Sequence, residues 1–192
     1  MPKRTQKTWK THKAKFKNCT ECPLCDVRIN IVLAKGKIPA DVVFIGEAPG
    51  ASENVIGKPF VGPAGKLFHR IVDSVVDQYD DFSGLRFAFT NLIACIPKNT
   101  KGGPKVHTPP KESIQKCYPR LEEFVELCKP SALVAVGKVA EKHVSTLFIE
   151  HEAISVTHPA AILREDRAMQ DLSIQRVQVQ LADLFHSIVS PN

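Results

Sequence analysis

Two cysteines set the first chemical possibility. Cys19 and Cys22, in Cys-Thr-Glu-Cys, have the two-residue spacing that lets one turn present both sulfurs to a metal or cluster. A zinc ribbon would need a second close pair, and none follows. Cys95 and Cys117 stand further along with 21 residues between them, one at a strand end and one on a helical run. One close pair and two distant thiols can hold a four-thiolate iron–sulfur cluster if the fold gathers them; several buried free thiols are the alternative. Cys25 is left over, and Cys128, on an apolar helical stripe, reads as a small core residue. A second set of polar groups falls at the ends of apolar runs: the Glu47 carboxylate, the Asn91 amide and the His158 imidazole. If they converge, they are the residue types of acid–base and electrostatic chemistry.

What must position them is a run of alternating strands and helices. Val42–Ile45 is apolar, with the β-branched and aromatic bias of a buried strand. Gly46-Glu47-Ala48-Pro49-Gly50 breaks it, and Gly57-Lys58-Pro59-Phe60-Val61-Gly62-Pro63 leads into an amphipathic run from Ala64 to about Val76. Strand, glycine-rich loop and helix is how an α/β sheet places a ligand loop at its carboxyl edge. Further strands are expected at Leu85–Ile93, Ala132–Val136 and Ala153–Val156, with helices over Lys111–Cys128, Val139–Leu147 and about Asp166–Ile188. The alternation predicts a three-layer α/β/α sandwich on a central four-stranded, mostly parallel sheet. In a doubly wound sheet Glu47, Asn91 and His158 then fall on one edge. The stretch Ala94–Pro110 (ACIPKNTKGGPKVHTPP) is longer than a compact domain needs, which makes it a functional candidate.

At 192 residues and 43% hydrophobic content the chain suits one buried α/β domain. No apolar run reaches the roughly eighteen residues of a membrane span, and the basic N-terminus lacks the apolar stretch of a secretory signal. The net charge of +6 is uneven: residues 1–18 hold seven lysines and arginines and no acid, leaving 19 of the 26 basic residues against all 20 acidic ones. Residues 1–18 therefore read as a flexible basic arm, a contact to nucleic acid phosphates or a solvated terminus, and residues 19–192 as the domain. Six cysteines without an export signal argue for ligands rather than disulfides and for a reducing compartment, the cytoplasm or nucleus.

Taken in order, GEAPG, GKPFVGPAGKL, Thr90-Asn91 near a cysteine and His158-Pro159-Ala160 resemble the iron–sulfur (family 4) uracil-DNA glycosylases from Cys19 to the last helix. CTECPL is similar to that family's first cluster pair, and Cys117 after PKES to its last ligand. The resemblance implies a 4Fe-4S cluster on Cys19, Cys22, Cys95 and Cys117. It also implies a monomer that acts on uracil in single- or double-stranded DNA, with no membrane partner. The base would be flipped into a pocket lined by Gly46 and Ala48, stacked on Phe60 and paired with Asn91. His158 would stabilise charge growing on the base, and Glu47 the sugar cation or the attacking water. Ala160–Arg164 would wedge into the DNA stack.

Two departures from that family's pattern matter. An acid commonly follows GEAPG, and here the position is Ala51. The long loop, with GGPKVHTP, resembles that of the uracil-crosslinking branch, in which a histidine attacks the sugar and stays attached. His107 is the matching residue, and that branch's preceding arginines are reduced here to Lys105. Three functions are therefore expected in order: a hydrolytic glycosylase, a binder that crosslinks through His107, and a DNA-binding module without chemistry.

Overall fold

Val42–Gly46 is a strand, β2, in which every residue is buried. Val42 and Phe44 enter the core on one face, Val43 and Ile45 the core on the other. A strand covered on both faces needs apolar residues at every position, which explains the unbroken run. The computed structural model describes residues 7–98 and 107–190. Among these, β1 (Ala34–Gly36), β3 (Phe87–Asn91), β4 (Ala132–Val136) and β5 (Glu152–Val156) join β2 in the order β1-β3-β2-β4-β5. The pairs β2–β3, β2–β4 and β4–β5 are parallel.

The α/β/α sandwich stands, and its sheet has five strands where four were expected. β1 pairs antiparallel with the β3 edge, Ala34 opposite Thr90 and Gly36 opposite Ala88. Ala-Lys-Gly has neither alternation nor bulk, so only the open edge of β3 makes it a strand.

Helices α3 (Pro63–Val76) and α7 (Arg167–Val189) cover one face, with Leu67, Phe68, Ile71, Val177, Leu181 and Phe185 in a common core. Helices α4 (Lys111–Cys128) and α5 (Lys138–Leu147) cover the other through Leu121, Phe124, Val125, Ala140 and Val144. Cys128 is fully buried there, where burial pushes its thiol up to about 12, as suits an inert core residue. Two short helices, α2 (Ala51–Ile56) and α6 (Pro159–Ile162), follow β2 and β5 directly. No described helix is long and apolar enough to cross a membrane.

The basic segment departs from a flexible arm. Trp9–Phe16 is a helix, α1, capped by Thr8 and packed on α4. Trp9 meets Phe124 edge-on at 5.7 Å, and the His12 ring lies 5.4 Å from Trp9 and 4.8 Å from Phe16. Trp9, His12 and Phe16 follow helical spacing and make one face, while Lys15 pairs with Glu123 at 2.6 Å and Lys7 with Glu126. Part of the excess charge is thereby matched to the acidic side of α4. Lys3 and Arg4, like Gly102, Gly103 and Lys105 of the long loop, lie outside the described residues.

His12 is 1% exposed, and its Nδ1 bonds Glu123 Oε1 at 2.9 Å. Burial holds its pKa below the ordinary imidazole value, against the opposing pull of Glu123. The unfolded chain protonates His12 at higher pH than the folded one does. The stability this group contributes is therefore full above the ordinary value and lost as pH falls through the lowered one. Trp9 is the only tryptophan, so its fluorescence reports the docking of α1. A single acid transition below the ordinary histidine range is expected, and it should vanish in His12→Gln. The same transition in both proteins would show that His12 does not set it.

Candidate active site

The carboxyl ends of β2, β3 and β5 open into one cavity of about 650 Å³. Its wall includes Gly46, Glu47, Ala48, Phe60, Asn91, His107 and His158, so the structure brings together every pocket residue singled out in the sequence. Ala51, Glu53, Gly65 and Arg164 line it as well.

The strand register explains the first contacts. Gly46 pairs with Asn91 across β2 and β3, and a Cβ on Gly46 would stand 2.4 Å from Asn91 Oδ1 and 3.0 Å from Phe60 Cζ. Asn91 is 5% exposed, and its side-chain amide has no protein hydrogen-bond partner among the described residues. Its donors and acceptor are free for a ligand.

Phe60 lies in the left-handed region at φ 55, a conformation that a bulky residue keeps only where its surroundings impose it. Three contacts do so. Lys35 of β1 donates from Nζ to Phe60 O at 3.1 Å. Gly65, in the first turn of α3, lets the Phe60 backbone approach so closely that a Cβ there would lie 2.3 Å from Phe60 C. Glu53 Oε1 accepts from the Val61 and Gly62 amides at 3.2 and 3.1 Å, while its Oε2 accepts from Gly50 N at 2.9 Å. The Glu53 carboxylate is thus occupied by backbone, which leaves Glu47 as the carboxylate available in the cavity. Glu47 is half-buried, has no hydrogen-bond or ion-pair partner for its side chain among the described residues, and is held above the ordinary carboxylate pKa by burial.

His158 caps α6, and its Nδ1 accepts from Ala160 N at 3.0 Å. A neutral ring with Nδ1 as acceptor carries its proton on Nε2. Burial first, then the Arg164 charge, lowers its pKa, against a smaller opposing pull from Glu53, so the ring is held neutral. Room for the ring comes from Gly137, at φ 93, where a Cβ would stand 2.8 Å from His158 Cβ. His107 is exposed on the cavity rim, with its amide donating to Pro97 O at 2.8 Å.

A second cavity of about 310 Å³ is lined by Cys19, Cys22, Cys95 and Cys117 together. Cys25 is outside it and bonds Asp26. Arg28 Nη1 donates to Cys95 Sγ at 3.3 Å, and Arg120 Nη2 lies 3.7 Å from Cys117 Sγ. Burial pushes the Cys95 thiol up to about 11 despite Arg28. Among the described residues no three His, Cys, Asp or Glu side chains close on a single metal ion.

The uracil DNA glycosylase superfamily matches residues 33–182 of this chain. The chain belongs to that superfamily. It is 32% identical over 172 residues to the type-4 uracil-DNA glycosylase of Pyrobaculum aerophilum, covering 78% of this chain and 82% of that protein. It is 30% identical over 167 residues to the type-4 uracil-DNA glycosylase of Archaeoglobus fulgidus, covering 76% and 78%. The crystal structure of Pedobacter heparinus SMUG2 superposes with a TM-score of 0.58 over 76% of each chain at 14% identity, a likeness of fold.

Within this superfamily frame the residues that the sequence did not single out are those that position others: Lys35, Gly65, Gly137, Arg28 and Arg120. Glu53 is the other carboxylate in the cavity wall, and the structure gives it a holding role. Glu53→Ala strands three backbone donors, each worth about 1–3 kcal/mol when buried and unsatisfied. A loss of about 2–4 kcal/mol in urea unfolding is expected; a change under about 0.5 kcal/mol would show that the loop does not need the carboxylate.

Proposed function

We propose that this chain is a uracil-DNA glycosylase acting in base-excision repair: it draws a uracil nucleotide out of DNA and cleaves its N-glycosidic bond, leaving an abasic site. The observation that carries this reading is the fixed tautomer of His158, with its Nε2–H left as a donor in the cavity that holds the unengaged Asn91 amide. The amide pairs with the polar edge of uracil; cytosine puts an amino donor where uracil has a carbonyl and mismatches it. Phe60, rigidly placed, supplies the stacking face.

As the bond from C1′ to the base nitrogen breaks, its electron pair leaves with the base and negative charge grows on the base oxygen. His158 Nε2–H donates to that oxygen without giving up its proton. The sugar becomes cation-like and faces the Glu47 carboxylate, which stabilises it, orients the water whose oxygen bonds C1′ and accepts the proton that this water gives up. Ala51 offers no second carboxylate, and that of Glu53 is engaged. Leu163, 42% exposed after α6, suits insertion into the stack, and Arg164 a phosphate.

Cys19, Cys22, Cys95 and Cys117 would hold a 4Fe-4S cluster. A cavity with four thiols and two arginines in its wall, and no group of three ligands closing on one ion among the described residues, fits a cluster whose irons take one thiolate each. Its contribution is structural, fastening the segment after α1 to the end of β3 and to α4. All six cysteines are free, consistent with a reducing compartment such as the cytoplasm, and the protein acts as a monomer on uracil-containing DNA.

A second reading rests on the place of His107 at the rim of the same cavity. Its ring nitrogen could bond C1′ as the base departs, leaving a covalent adduct in place of an abasic site. A uracil oligonucleotide incubated with the iron-loaded protein separates the outcomes: cleavage after alkali marks hydrolysis, and a shifted band on a denaturing gel marks the adduct. His107→Ala should abolish a shifted band and spare alkali-sensitive release. Neither product from iron-loaded protein would leave a DNA-binding module.

His158→Ala should lower single-turnover release by about 10²–10³-fold, as loss of an oxyanion donor does. The active forms are ionised Glu47, with its pKa raised, and neutral His158, with its pKa lowered. The rate should therefore fall on the acid side, between the ordinary carboxylate and ordinary imidazole ranges. Glu47→Gln should remove one step of that limb; an unchanged profile at full activity would remove Glu47 from the mechanism.

A further inference from the structure

Arg120 is a cation buried to 3% exposure that no carboxylate meets among the described residues. It sits one helical turn beyond Cys117 on α4 and reaches towards the end of β3. Its Nη1 donates to Thr90 Oγ1 at 2.7 Å, and that hydroxyl donates onward to Leu33 O at 2.7 Å. Its Nη2 donates to Asn91 O at 2.6 Å and Leu92 O at 2.9 Å, and the same nitrogen lies 3.7 Å from Cys117 Sγ. Its Nε is buried with no partner among the described residues. The guanidinium therefore lines the thiol cavity, and the nitrogen nearest the Cys117 thiol is the one that grips the backbone of Asn91.

A buried cation needs an anion close by. The described groups that Arg120 bonds are carbonyls, a hydroxyl and a thiol. Across the α1–α4 contact it lowers the proton affinity of His12, whose partner Glu123 is already engaged by His12 and Lys15. The exposed Glu21 shares the cavity wall without pairing with Arg120. The place left for a buried counter-charge is the thiol cavity, where Arg28 makes the matching approach to Cys95. Four thiolates carrying an iron–sulfur cluster supply a net negative charge at that place.

We propose that Arg120 is a positioning residue that couples the thiol cavity to base recognition: the loaded cavity provides its counter-charge, and its planar fork holds the strand end from which Asn91 reads the base. This rests on the reading of the chain as a cluster-bearing uracil-DNA glycosylase. Charge and fork are separable properties. Lysine keeps the first and cannot reproduce the second, because one ammonium cannot make the parallel set of bonds to Thr90, Asn91 and Leu92. Methionine keeps neither while filling similar space.

The test uses iron-loaded, anaerobically purified wild type, Arg120→Lys and Arg120→Met. Each is measured for iron content, cluster midpoint potential and the dissociation constant for free uracil by calorimetry. Methionine should lower the potential, since a positive charge beside the cluster is lost, and weaken uracil binding about tenfold or more. Lysine should restore most of the potential and little of the affinity, a split that a merely space-filling role would not give. Lysine with wild-type uracil affinity overturns the coupling, and so do iron-loaded variants that match wild type in both measurements. Should methionine fail to fold, lysine alone still decides the point. Wild type that binds no iron, or that is iron-loaded and neither binds nor excises uracil, overturns the underlying reading and this inference with it. Iron-loaded, uracil-active wild type with indifferent variants overturns the inference alone.

Discussion

Two stretches of chain meet on the carboxylate of Glu53. One is the turn after β2, whose Gly50 amide reaches Oε2; the other is the Phe60–Gly62 bend, whose Val61 and Gly62 amides reach Oε1. Neither stretch belongs to a strand, and neither could hold its own polar groups in a half-buried site. The bend also keeps Phe60 at a left-handed angle, which costs free energy that only fixed neighbours can offset. With Gly65 yielding space and Lys35 holding the carbonyl, one side chain and two accommodations define the aromatic wall of the pocket. Precision in this wall is a property of the loops' mutual restraint, and the sheet serves as their foundation.

Electrostatics in the pocket follow from burial acting on opposite kinds of group. The same partial exclusion of water makes a carboxylic acid harder to ionise at Glu47 and an imidazole harder to protonate at His158. Moving both in these directions narrows the gap between them and leaves His158 as a neutral donor whose orientation is fixed by the Ala160 amide. Arg120 meets burial differently. A guanidinium cannot shed its proton, so it must find acceptors and a counter-charge in place. Its acceptors are the Thr90 hydroxyl and the Asn91 and Leu92 carbonyls, where β3 ends.

Much of this architecture is legible in the chain itself. Buried parallel strands advertise themselves as unbroken apolar runs, and helices α4 and α7 by their periodicity. The strand-end residues Glu47, Asn91 and His158 converge because parallel strands point their carboxyl ends the same way. The family motifs carried what spacing could not, above all the pairing of Cys95 and Cys117 with a distant Cys-x-x-Cys. Other features were opaque for physical reasons. β1 is a strand only because β3 has an open edge. α1 was hidden because its central buried residue is a histidine, which reads as polar, and because seven positive charges suggested solvent; Trp9, His12 and Phe16 nevertheless keep a helical face. Arg120 and Lys35 act through backbone carbonyls, contacts that leave no trace in residue type or spacing.

The docking of α1 on α4 has a consequence for how the chain is made. His12 and its partner Glu123 are 111 residues apart, and the four cavity thiols span nearly the same interval. Synthesis runs from the N-terminus, so α1 is made well before α4 and cannot form this contact until the intervening strands and helices have followed. β1 likewise waits for β3. The opening third of the chain must pass through a long unpartnered stage, and closing such distant contacts slows assembly. Assembly of the thiol cavity is then ordered in time as well as in space: Cys19 and Cys22 are made early as a bare pair, and only the arrival of α4 completes the four thiols of its wall.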